Sequence, residues 1–157
     1  MRYRQPPLDV FVGRAVELAQ VAEVIARVEA GQPWLVAIEG DPGVGKTALA
    51  RRCLAGATGL RVLAARGDQA EADLDFGLVD QLLRAAGAVF PALSPAGGTG
   101  SAASSFAVGA RLLEVVGEQQ ATRAVAILID DLQWADRRSV EALTFTLRRL
   151  SVDPVIA

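Results

Sequence analysis

The sequence predicts an α/β fold of three layers, a parallel sheet with helices on both faces. Three observations predict it. Short apolar runs alternate with stretches of helical periodicity along most of the chain. The run Val125-Ala126-Ile127-Leu128-Ile129 is apolar without a break, as a strand buried on both faces requires. The segment Gly40-Asp41-Pro42-Gly43-Val44-Gly45-Lys46-Thr47 has the G-x-x-x-x-G-K-[ST] spacing of a phosphate-binding loop, set between a strand-like and a helix-like stretch.

Each element has its own signal. Residues 1–10 read as a loose lead, and residues 11–157 as one domain. Leu18, Val21, Ile25 and Val28 recur at helical spacing, with Gly31 placed to end that helix. Trp34–Glu39 reads as a strand running into the glycine loop, and Ala48–Ala57 as the helix leaving it. Arg61–Ala65 is a second strand. The acids Asp68, Glu71, Asp73 and Asp75 then mark a solvated loop, since no fixed ligand spacing supports a metal site there. Phe76–Ala86 forms a helix with Leu78, Leu82 and Leu83 inward. Residues 90–105 are rich in Pro, Gly, Ser, Thr and Ala, the composition of a flexible loop. A helix over Phe106–Gln120, the strand Ala124–Ile129 and a helix with Val140, Leu143, Leu147 and Leu150 on one side follow. Pro154–Ala157 looks like the start of another strand, so the domain reads as incomplete at that end. Right-handed crossovers make the sheet parallel.

Composition narrows the chemistry. A chain of 157 residues suits one domain. The net charge of -2 gives no overall basic field for nucleic acid or an anionic membrane. A single cysteine, Cys53, rules out an intrachain disulfide, and the absence of histidine rules out histidine catalysis. The longest uncharged stretch, 85–110, is broken by prolines and glycines and cannot be a membrane helix. No secretory leader is legible at the start, and a reducing cytoplasm is the expected location.

Lys46 is the only lysine against fifteen arginines. Arginine is a planar fork, whereas a lysine ammonium on a thin stem fits inside a closed loop of backbone amides. Gly40, Gly43 and Gly45 let the backbone turn sharply. The amides from Gly43 through Val44, Gly45, Lys46 and Thr47 to Ala48 then point inward as a nest at a helix N-terminus. The Thr47 hydroxyl is a magnesium ligand of the expected kind. The acids Asp130 and Asp131 end the apolar strand 84 residues after Lys46. Asp130 is the candidate for the magnesium shell and Asp131 for polarising an attacking water, with Lys46 as the phosphate-facing charge. A guanine-reading N-K-x-D box needs a second lysine, so ATP is expected over GTP.

Phe11-Val12-Gly13-Arg14 with Glu17-Leu18 precedes the loop, and Asp130-Asp131-Leu132-Gln133-Trp134-Ala135-Asp136 follows it. With these boxes in this order, the chain resembles the ATPase domain of the STAND class within the AAA-like P-loop NTPases. Within that class it resembles the large ATP-binding regulators of the LuxR type. The resemblance implies Phe11 and Val12 near the adenine and Arg14 close to the nucleotide, although Ala15 stands where the family often has an acid. It implies bound ATP or ADP with Mg2+, and leaves self-association open. Complete members carry a sensor strand, a helical lid and a C-terminal helix-turn-helix. DNA binding is thus implied for a parent protein and not for these residues. Trp134 reads equally as packing or function, and Asp136 as a helix cap or a nucleotide-responsive group.

The leading expectation is a regulatory ATP switch with slow hydrolysis. A phosphotransferase acting on a small acceptor, and a non-hydrolysing module that uses nucleotide only for structure, are the alternatives. Residues 90–105 lack the arginine that a phosphotransferase lid would carry.

Overall fold

The fold is described from a computed structural model over residues 13–90 and 103–157. Five α-helices and three strands are assigned among them. In chain order these are α1 (Ala15–Glu29), α2 (Lys46–Ala55), β1 (Leu60–Arg66), α3 (Gly77–Ala85), α4 (Ser105–Gln120), β2 (Ala124–Asp130), α5 (Arg137–Leu147) and β3 (Val155–Ile156). The sheet is parallel in the order β1-β2-β3. The α/β class, the parallel sheet and the flanking helices are therefore as the sequence predicts. The Phe11-Val12 pair and most of the expected 90–105 loop lie outside the described residues.

Alternation along the strands sorts the core into two halves. Leu63 and Ala65 of β1, Val125 and Ile127 of β2, and Val155 of β3 pack against α3, α4 and α5. Leu60, Ala126 and Ile156 pack on the opposite face against Ile25 and Val28 of α1, with Leu54 of α2 alongside. The helix α3 buries Leu78, Val79, Leu82 and Leu83, leaving Asp80 and Gln81 partly buried and Arg84 exposed. Gly109 brings α4 against α5 so closely that a Cβ there would lie 2.8 Å from the Ala142 carbonyl oxygen. The Thr146 hydroxyl donates across that contact to the Gly109 carbonyl at 2.9 Å.

Two expectations need correction. Trp34–Glu39 was expected to be a full strand, but only Trp34 forms an assigned bridge, parallel to Ile156. Trp34 N–H donates to the Val155 carbonyl, Ala157 N–H to the Trp34 carbonyl, and Val36 N–H to the Ala157 carbonyl. No backbone pairing is assigned to residues 37–39. Val155–Ile156 does form a strand as expected, and it lies between Trp34 and β2. The second correction concerns α5. Val140 is exposed, and the buried positions are Ser139, Ala142, Leu143 and Thr146. The close approach at Gly109 favours a small-residue face, so the helix is rotated from its most apolar stripe.

Candidate functional site

The chain leaves the Trp34 segment, turns through residues 40–45 and enters α2 at Lys46. Gly43 and Gly45 have φ of +82° and +86°, a region that side chains resist. Gly45 occupies the N-cap in that conformation, so no side chain competes for the first free amides of α2. The Lys46 ammonium folds back over the loop and donates to the Gly40 carbonyl at 2.8 Å and the Asp41 carbonyl at 3.0 Å. The Arg14 guanidinium donates to the Val44 carbonyl at 2.7 Å. Arg14 thus touches the loop from the α1 side, in a left-handed conformation at φ 60°.

β2 delivers the two acids to the same cleft. Thr47 Oγ1 donates to Asp130 Oδ1 at 2.8 Å, although 83 residues separate them. A hydroxyl and a carboxylate side by side are hard oxygen donors of the kind magnesium takes. No group of three or more Asp, Glu, Cys or His residues is placed to hold a metal among the described residues. That donor set suits an ion held by one or two protein oxygens, with phosphate and water completing the shell, rather than an all-protein cage.

Asp131 sits differently. It lies beyond the strand at φ 53°, a left-handed position that swings its side chain away from Asp130. Arg66, the last residue of β1, holds it: Nη2 lies 2.8 Å and Nε 3.0 Å from Asp131 Oδ2. Gln133 Nε2 donates to Asp131 Oδ1 at 3.1 Å. The hydrogen bond from Arg66, then that from Gln133, holds this carboxyl below its usual range, and Lys46 adds a smaller charge effect. The same pairing raises the Arg66 guanidinium further.

The Arg66 backbone is itself pinned. Its N–H donates to Gln81 Oε1 and its carbonyl accepts from Gln81 Nε2, both at 3.0 Å. Gln81 of α3 therefore satisfies both backbone groups at the open edge of β1. Gly67 allows the next step: a Cβ there would lie 2.4 Å from the Asp131 carbonyl oxygen, a contact no side chain tolerates. Asp136 is buried and accepts from Ser139 N–H at 2.7 Å, Phe76 N–H at 2.9 Å and Leu78 N–H at 3.4 Å. It caps α5 and also the start of α3, and so ties the loop carrying Asp131 to the helix carrying Gln81. Of the two roles open for it, the geometry is that of a cap. Trp134 is half-exposed in a short 3-10 turn, Leu132–Trp134.

These groups line one cleft of about 870 Å³. Its walls include Gly40, Gly43, Gly45, Lys46, Thr47, Ala48, Arg66, Asp130, Asp131 and Gln133. Val44 and Arg14 stand at the loop without lining the cleft, and Phe11 and Val12 lie outside the described residues. Arg66, Gln81 and Gln133 carry no motif. No sequence signal marks Arg66; the parallel register that sets it opposite Asp130 is what brings it to the acids. No described helix is long and apolar enough to cross a membrane.

Comparison with known families finds that the sequence model of the AAA ATPase domain matches residues 10–157. Curated proteins and solved structures give no match. The match spans both the glycine loop and the paired acids, over nearly the whole chain, and the chain belongs to the AAA ATPase domain family.

Proposed function

We propose that this chain is an ATP-binding, slowly hydrolysing switch domain. The observation that carries the reading is the Thr47–Asp130 contact at 2.8 Å beside the Lys46 loop. It sets the loop hydroxyl against the acid that ends β2, which supports a magnesium–phosphate site between them. In this reading the inward amides of residues 43–48 and the Lys46 ammonium bind the phosphates. Thr47 and Asp130 would hold Mg2+, which when bound neutralises charge on the phosphate oxygens. Asp131 orients and polarises the attacking water. Water oxygen bonds to the terminal phosphorus as the bond to the ADP oxygen breaks, giving ADP and inorganic phosphate. Arg14 steadies the loop through Val44, and Phe11 and Val12 border the adenine.

Slow turnover follows from the Asp131 environment. A carboxylate engaged by Arg66 and Gln133 and held to a low pKa is a weak base. An arginine provided at the transition state by a partner segment is worth about 10³–10⁵ in rate, and this reading assigns no such group in the chain. The D-D-x-x-W-x-D box and the Gly13-Arg14 pair favour a place among STAND-class regulators of the LuxR type, in a cytoplasmic parent protein that binds DNA through another segment. The test is phosphate release from Mg-ATP. This chain should turn over very slowly, and a longer chain that includes a lid should be faster. Asp131→Asn should abolish the added activity and leave ATP binding nearly intact. Brisk turnover by the 157-residue chain, or full activity in Asp131→Asn, would refute this assignment.

A further inference from the structure

We propose that Arg66 is the residue by which this cleft distinguishes a nucleoside triphosphate from the diphosphate, by contacting the terminal phosphate from the end of β1. The inference rests on the nucleotide reading above and adds a discriminating group to it. Three observations carry it.

The first is charge. The cleft lining brings two cations, Lys46 and Arg66, against three acids, Glu39, Asp130 and Asp131. Lys46 belongs to the glycine loop, which any phosphorylated nucleotide fills. Arg66 lines the same cleft from the end of β1, against Asp131, the acid placed for water activation. A triphosphate brought beside Asp131 meets a like charge, and Arg66 is the lining cation in contact with that acid.

The second is the geometry of the fork. A guanidinium has five N–H donors. The Nε–Nη2 edge is used on Asp131 Oδ2. Nη1 makes no hydrogen bond to any described residue, which leaves one edge for a second anion while the first is kept. Arginine commonly serves phosphate in this forked manner.

The third is rigidity at the root. The side chain is mostly exposed, at 69%, yet both backbone groups of Arg66 are held by Gln81. Gly67 N–H donates to the Asp130 carbonyl at 2.9 Å, so the base of the arginine is fixed to the acid-bearing strand. A side chain kept only for surface charge has no need of such anchoring.

The experiment is calorimetric titration of the full chain with Mg-ADP and with a non-hydrolysable triphosphate analogue plus magnesium. Arg66→Ala should weaken the triphosphate about tenfold, the scale of one hydrogen bond to a charged group at an open site, and leave Mg-ADP unchanged. Asp131→Asn keeps Arg66 and should preserve the triphosphate preference. Because the Arg66 side chain is exposed, the variant should fold, and its unfolding midpoint checks that. Equal loss for both ligands, or no loss for either, overturns the inference while the nucleotide reading stands. Failure of the unaltered chain to bind either nucleotide overturns both.

Discussion

Asp136 gives the sharpest stability prediction. Its Oδ1 accepts from Ser139 N–H at 2.7 Å and from Phe76 N–H at 2.9 Å. Its Oδ2 accepts only the long contact from Leu78 N–H at 3.4 Å. The carboxylate is buried, at 4% exposure, so water cannot readily replace it. Asp136→Ala strands two buried N–H donors at about 1–3 kcal/mol each. With partial water entry the expected loss is about 3 kcal/mol, or roughly 6–12 °C in Tm for a domain of this size. Asp136→Asn behaves differently. The amide oxygen can take the Oδ1 position and keep both short bonds, while the NH₂ group faces only the weak Leu78 contact. That variant should lose about 1 kcal/mol, the net scale of the one hydrogen bond from Leu78 N–H that it gives up. Urea unfolding of the three proteins at one pH measures both differences. A loss below about 1 kcal/mol for Asp136→Ala, or equal losses for the two variants, would refute the double-cap account.

Other perturbations follow from the same geometry. Gly109→Ala places a Cβ 2.8 Å from the Ala142 carbonyl and 2.8 Å from a Phe145 ring carbon; overpacking of this kind costs about 1–3 kcal/mol, read as a lower urea midpoint. Thr47→Ala removes a hydroxyl from the Asp130 pair; the magnesium concentration needed for half-maximal ATP binding should rise, with metal-free binding unaffected. Asp131 has a folded-state pKa below its unfolded value. Its contribution to stability is therefore present above the unfolded pKa and lost as pH falls through the folded one. Arg66→Ala removes the main cause of the depression, so the decline in unfolding midpoint on acidification should be shallower than in the unaltered chain.

The sequence carried the layer order because alternating apolar runs and helical periodicity are local signals. The run 125–129 marked β2, and the single lysine marked the loop, since both depend on neighbouring residues alone. The pairing at Trp34–Glu39 was not legible in extent, because it depends on residues far away in sequence, here 155–157. The buried face of α5 was misjudged for a similar reason. Val140 is the more apolar residue, but Thr146 donates to the Gly109 carbonyl at the close contact with α4, and Ser139 accepts from Val79 N–H of α3. At the candidate site, Lys46, Thr47 and Asp130 were legible from spacing. Arg66 became visible only through the parallel register that sets it opposite Asp130. The pairing that tempers Asp131 requires the turn after β2, with its left-handed backbone, to swing that carboxylate toward β1.

The central claim is that the glycine loop and the acids of β2 form one magnesium–nucleotide site. It is tested most directly by calorimetric titration of Mg-ATP into the unaltered chain and into Lys46→Ala. Lys46 Nζ contacts only the loop carbonyls of Gly40 and Asp41, so its removal should leave the unfolding midpoint nearly unchanged. The account predicts saturable one-to-one binding by the unaltered chain, weakened at least about 100-fold in Lys46→Ala, as expected when one partner of a desolvated charge contact is lost. Equal affinity in a folded Lys46→Ala protein would contradict it.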